Sequence, residues 1–175
     1  MSTHGVNYEF APPAHGEALQ YMGTGDASGL RLTLISSRFN EALVLRLLDS
    51  ALASLREAGV PDAGLRIFWV PGAYEIPVVA EWAAASRDSD AVIALGCVIE
   101  GETPHAQLIS ESVARALTEI SVRHGVPVLD GVVSVRTPAQ AEARCRPGPE
   151  GRGWHVARAA VEMGLLMRRL KERRP

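Results

Sequence analysis

The chain has 175 residues, 47% of them apolar and 22% charged, a size suited to one domain and a composition typical of folded rather than disordered chains. Its 18 Lys and Arg face 20 Asp and Glu, a formal charge of −2, so no basic field attracts nucleic acid. The longest apolar stretches, such as Ala91 to Ile99, fall well short of the roughly 20 residues that cross a bilayer, and the N-terminus lacks a basic segment followed by an apolar one. The expectation is a cytoplasmic protein with neither a nucleic-acid nor a membrane partner. Cys97 and Cys145 are too few for a disulfide framework or a four-thiolate metal site, and both are expected to be reduced thiols.

Residues 1–28, with Pro12, Pro13 and glycines at positions 5, 16, 23 and 25, show no sustained period. They read as an N-terminal extension that could add one edge strand to a domain spanning 29–175. Leu30 to Ser36 is strand-like, and Asn40 to Ala58 carries Leu43, Leu47, Leu48, Ala51 and Leu55 at helical spacing before Gly59 and Pro61. The unit repeats: strand Arg66 to Val70 and helix Tyr74 to Ser86, then strand Asp90 to Ile99 and a helix from His105 to about His124. A fourth strand follows from Pro127 to Val135, then a short helix from Pro138 to Arg144, a Pro- and Gly-rich turn from Arg146 to Gly153, and a last helix from Trp154 to about Arg173. Strands apolar at nearly every residue, such as AVIALGCVI, need cover on both faces. The expected fold is therefore an α/β three-layer sandwich, a four-stranded parallel sheet flanked by helices through right-handed crossovers.

Ligands of such sheets bind beyond the carboxyl ends of the strands, a rule that selects Ser37 to Asn40, Pro71 to Pro77, Glu100 to His105 and Val135 to Thr137. In the third segment Thr103 reads as an N-cap and Pro104 as the first helical residue. The free N–H groups behind them, with Gly101 allowing close approach, suit a phosphate. His105 in that first turn is either a proton acceptor, kept neutral by the helix dipole, or a surface histidine closing the helix end. Arg144, Arg146 and Arg152 offer guanidinium forks to phosphate, or form a solvated loop. Phe39 and Asn40 could stack on and hydrogen-bond a planar heterocycle while Glu75 accepts from its edge; alternatively Phe39 is core and Glu75 only a dipole partner. The GRGWH segment does not follow a strand, so a dinucleotide loop is discarded.

Five collinear motifs, RFN (Arg38 to Asn40), VPGAYEIP (Val70 to Pro77), ALGCVIEGETPH (Ala94 to His105), GVPV (Gly125 to Val128) and AAVEM (Ala159 to Met163), resemble the lumazine synthase family over Leu30 to Leu170. The resemblance implies the same sandwich fold, assembled as pentamers or multiples of pentamers. It also implies condensation of 5-amino-6-ribitylaminouracil with 3,4-dihydroxy-2-butanone 4-phosphate to 6,7-dimethyl-8-ribityllumazine, phosphate and water, with no metal or organic cofactor. Carried over by position, Phe39 stacks on the pyrimidine, Ala73, Tyr74 and Glu75 hold the ribityl chain, and Val98 and Ile99 meet the ring edge. Gly101, Glu102 and Thr103 contact the phosphate, His105 transfers protons, and Arg144 of a neighbouring subunit binds the phosphate.

Three departures from the family pattern accompany the match. Ala106, Gln107, Leu108 and Ile109 stand where the family usually has an aromatic residue, an acid and Tyr-Val. Arg152, Gly153, Trp154 and His155 replace Lys-Gly-x-acid, putting an imidazole where a carboxylate would orient the catalytic histidine. Asp130 occupies a position often aromatic or Asn, where its carboxylate could recognise a ring N–H or replace the missing acid. These changes predict a slower enzyme or a paralogue for related substrates; a competing expectation is a flavin- or lumazine-binding assembly or shell protein without turnover.

Overall fold

A computed structural model describes residues 11–13 and 16–172. The elements run β1 (Leu32–Ser37), α1 (Glu41–Glu57), β2 (Leu65–Val70), α2 (Ile76–Ala85), β3 (Ala91–Ile99), α3 (His105–His124), β4 (Val128–Val135), α4 (Pro138–Arg144) and α5 (Arg152–Glu172). The sheet has the order β2-β1-β3-β4 and all three pairings are parallel. The expected α/β sandwich is present. Residues 11–13 and 16–31 contribute no strand to the sheet, and an edge strand within residues 1–10 lies outside the described residues.

Side-chain alternation along the inner strands explains why β3 is apolar throughout. Leu32 and Leu34 of β1 and Ile93, Leu95 and Cys97 of β3 pack into one cluster with Val44, Leu47, Ala51, Val156 and Ala160 of α1 and α5. Ile35, Val92, Ala94 and Val98 point the other way, against Ile76, Ala80, Val113 and Leu117 of α2 and α3. Every residue of β3 before Ile99 is buried, which a strand paired on both edges and covered on both faces requires.

Three element ends differ from the sequence expectation. The segment read as a helix from Tyr74 begins instead with a 3₁₀ turn at Ala73–Glu75, and α2 starts at Ile76 with Pro77 in its first turn. Pro77 lacks an N–H, and the first turn is where that loss costs nothing. The helix expected from Trp154 starts two residues earlier, at Arg152. Gly153 lies inside it because a Cβ there would sit 2.1 Å from the Leu47 carbonyl oxygen, so α5 approaches α1 backbone to backbone. Finally, Thr103 is not the N-cap of α3. Pro104 takes that position, with no side-chain cap, and a working side-chain cap occurs at α4, where Thr137 accepts from the Gln140 N–H.

Both cysteines are free and buried in the first cluster. The hydrogen bond that the Cys145 thiol donates to Cys97, together with burial, pushes the Cys145 thiol well up. At the opposite end of the sheet from the strand termini discussed below, Arg168 of α5 donates from Nε to Asp90 Oδ1 (2.7 Å) and from one terminal nitrogen to the Gly29 carbonyl (2.6 Å). The Arg31 N–H adds a bond to Asp90 Oδ2 (2.8 Å). Burial pushes the Asp90 carboxyl up, but the Arg168 and Arg31 bonds outweigh it and hold the group below its ordinary value. Residues 29 and 31, ahead of β1, are thereby fastened to the last helix.

Two outcomes follow from these contacts. Gly153→Ala should lower the unfolding free energy by about 1–3 kcal/mol, the usual penalty of overpacking, measured by urea denaturation. A depressed carboxyl contributes stability that is present above the unfolded-state value near 4 and is lost as pH falls through the folded-state value. The stability gap between the wild type and Asp90→Asn should therefore be wide at pH 7 and narrow at pH 3.

Candidate functional site

β1 lies between β2 and β3, and the chain leaves β1 and β3 toward opposite faces of the sheet, α1 joining one cluster and α3 the other. Loops that diverge in this way leave a crevice at the carboxyl edge. A cavity of about 770 Å³ occupies it, within the roughly 300–1,000 Å³ of small-molecule sites. The turn after β1 contributes Phe39, the loop after β2 contributes Pro71 to Glu75, and the end of β3 with its loop contributes Cys97 to Ile99, Gly101 and Thr103. The first turns of α3 add His105, Ala106, Leu108, Ile109 and Ser112.

The structure thus brings together Phe39, Ala73, Tyr74, Glu75, Val98, Ile99, Gly101, Thr103 and His105 from the sequence-derived set. The walls are mostly apolar and the polar groups few. Phe39 is 69% exposed and Tyr74 64%, so both stand at the mouth rather than in the core; the core reading of Phe39 is excluded. Glu75 Oε2 accepts from the Gly72 N–H (2.9 Å), closing the 3₁₀ turn, so one carboxylate oxygen shapes the loop. His105 is the first residue of α3 and is exposed. A Cβ at Gly101 would meet nothing within 4 Å, leaving its backbone approachable.

Two residues expected near the ligand sit at the margin. Glu102 is exposed and does not line the cavity. Asn40 does not line it either: its Nδ2 donates to the Cys97 carbonyl (2.9 Å). Pro71, Gly72, Cys97 and, on α3, Ala106, Leu108, Ile109 and Ser112 line the cavity without having been singled out as ligand contacts. The helical period of α3 could have indicated Leu108, Ile109 and Ser112, which fall three, four and seven residues after His105.

Asp130, Arg144, Arg152 and His155 form a separate group. Asp130 lies in β4 opposite Ala94, five residues before the end of β3, or about 16 Å along the strand. Its Oδ1 accepts from the Val132 N–H (2.9 Å). It therefore does not stand in for an acid beside the imidazole of its own chain. Arg152 donates to the Asp130 carbonyl oxygen (2.7 Å), and His155 is half-buried one turn further along α5. Arg144 ends α4, exposed. Among the described residues no Lys or Arg lines the cavity. Among the described residues no cluster of three or more His, Cys, Asp or Glu could hold a metal ion, and no helix is long and apolar enough to cross a membrane.

A doubly wound parallel sheet with a largely apolar cavity at its β1/β3 crossover, and one imidazole at the start of the adjoining helix, defines an α/β enzyme acting on a small molecule. Residues 29–168 match the model of the 6,7-dimethyl-8-ribityllumazine synthase family. The 6,7-dimethyl-8-ribityllumazine synthases of two Clostridium kluyveri strains are each 38% identical over 151 residues, covering 86% of this chain and 98% of the relative. The chain belongs to this family, whose enzymes are transferases of riboflavin biosynthesis.

The capping geometry has a direct check. Thr137→Ala should cost about 1 kcal/mol of stability, while Thr103→Ala, which removes no cap, should stay within about 0.5 kcal/mol, both read from urea titrations.

Proposed function

We propose that this protein condenses 5-amino-6-ribitylaminouracil with 3,4-dihydroxy-2-butanone 4-phosphate to give 6,7-dimethyl-8-ribityllumazine, phosphate and water. The observation that carries the reading is the convergence of three strand ends and the start of α3 on one cavity, with an aromatic ring, the Pro71 to Glu75 loop and an imidazole around it. Phe39 stacks on the pyrimidine, Ala73, Tyr74 and Glu75 hold the ribityl chain, and Val98 and Ile99 border the ring. Gly101 and Thr103, with Glu102 beside them, receive the phosphate through the backbone. The ring amine attacks the ketone, an imine forms with loss of one water, phosphate leaves by elimination, and ring closure expels a second water. His105 carries the protons. Holding two reactants in one cavity supplies up to about 7–11 kcal/mol of the barrier. The family relatives are named for the enzyme, which favours turnover over an assembly protein without chemistry.

We further propose that the site is completed by a second copy. The phosphate needs a cation, the described residues lining the cavity supply none, and Arg144 stands exposed on α4. Arg144, and with it Arg152, Asp130 and His155, is then the contribution of one subunit to the cavity of the next. The exposed apolar side chains support such cover: Ile67 and Trp69 on the edge strand β2, and Val78 and Trp82 on α2, are large apolar groups left open to solvent. The assembly is a pentamer or a multiple of pentamers, in the cytoplasm, with 1–28 as an extension of a 29–175 catalytic domain and no partner besides its substrates and its own copies.

The test is lumazine formation from the two substrates, followed by its absorbance. His105→Ala should lower kcat about 10²- to 10⁴-fold. Arg144→Ala should raise KM for the phosphorylated ketone roughly 10- to 100-fold, the worth of a charge-assisted bond. Refolding the two variants together should restore roughly a quarter of the wild-type sites, since one cavity in four pairs an intact imidazole with an intact arginine around a ring. Absence of lumazine above background with wild-type protein would defeat the reaction; no recovery on mixing would defeat the shared site.

A further inference from the structure

We propose that Asn40 is a positioning residue, which sets the place of Phe39 over the substrate ring without touching the ring itself; the proposal rests on the stacking role given to Phe39 above. Asn40 has φ 58° and ψ 43°, the left-handed conformation, which Asn adopts more readily than other residues with a side chain. It occupies the N-cap of α1, yet its side chain makes no capping bond, although an Asn there ordinarily accepts from the next turn. The amide is used elsewhere, donating 2.9 Å to the carbonyl of Cys97, 57 residues away.

That carbonyl lies just past the end of a ladder. Pairing between β1 and β3 stops at Ser36 opposite Leu95, while β3 and β4 continue to Ile99. The Asn40 side chain therefore supplies one more rung on the β3 side after the β1 backbone has turned away. On the β2 side the backbone does the same: Arg38 and Phe39 N–H groups donate to the Val70 and Pro71 carbonyls, at 2.9 and 3.0 Å. The turn carrying Phe39 is thus stitched to both neighbours. Because the Phe39 ring is 69% exposed, packing does little to hold it, and these bonds set its distance from Val98 and Ile99. Without the amide the turn is tied on one side only.

The probe is 6,7-dimethyl-8-ribityllumazine, titrated by its fluorescence. Asn40→Asp keeps the shape but replaces the donor with a carboxylate facing a carbonyl; Asn40→Gly keeps the left-handed backbone and removes the side chain. Each should weaken lumazine binding about tenfold, as expected for a lost hydrogen bond, while inorganic phosphate binds within twofold of wild type. In a double-mutant cycle, Phe39→Ala with Asn40→Gly should bind no more weakly than Phe39→Ala alone, since coupled residues are not additive. Multiplying losses would mean that Asn40 acts on the ligand itself, and wild-type affinity in both Asn40 variants, or a parallel loss of phosphate binding, would equally overturn the proposal. Wild-type protein that binds lumazine but never forms it would sink the catalytic reading and leave the cycle interpretable. A productive enzyme with an additive cycle would do the reverse.

Discussion

The structure depends on the double burial of β3. Its residues from Ala91 to Val98 are sequestered between β1 and β4 and between two helical layers, so it can carry no charge and little polarity along most of its length. All polar chemistry associated with this strand is displaced to the point where burial ends, at Ile99 and the loop beyond. The same displacement operates at the end of β1, whose residues are likewise buried. The cavity is where β1, β2 and β3 end together and become free to expose backbone and polar side chains.

The site inherits its character from that geometry. Most of its wall is the apolar end of the core, continued by Ala106, Leu108 and Ile109 along α3, and its polar groups come from turns and helix starts. A planar ring suits such a wall because it presents two apolar faces and a polar edge. A phosphate does not, and among the described residues no cation lines the cavity, which is the ground for proposing an arginine from another copy.

Most of the architecture was legible in the residues. Two-sided strands announce themselves as unbroken apolar runs, and the four strands, the long helices α1 and α3, and α4 with its bounds at Pro138 and Arg144 all followed from period and punctuation. The failures have physical causes. Thr103 looked like a cap because its type and spacing suit one, but Pro104 starts the turn and no cap bond forms. Trp154 looked like the start of α5 because Gly153 looked like a breaker; contact with the Leu47 backbone makes that glycine a helical residue instead. Asn40 looked like a ligand contact because it adjoins Phe39, and nothing local reveals a bond to a carbonyl 57 residues away.

The sequence by itself determined the class of fold, the family and the segments in which chemistry would reside, because hydrophobic period, turn residues and motif order are local properties of the chain. Only the tertiary structure decided which of those segments face one another. It gathered Phe39, the loop after β2 and His105 around one cavity and left Asp130, Arg144, Arg152 and His155 outside that lining. Strand order and the hand of each crossover set those distances, and both result from how helices pack on a twisted sheet rather than from any short run of residues.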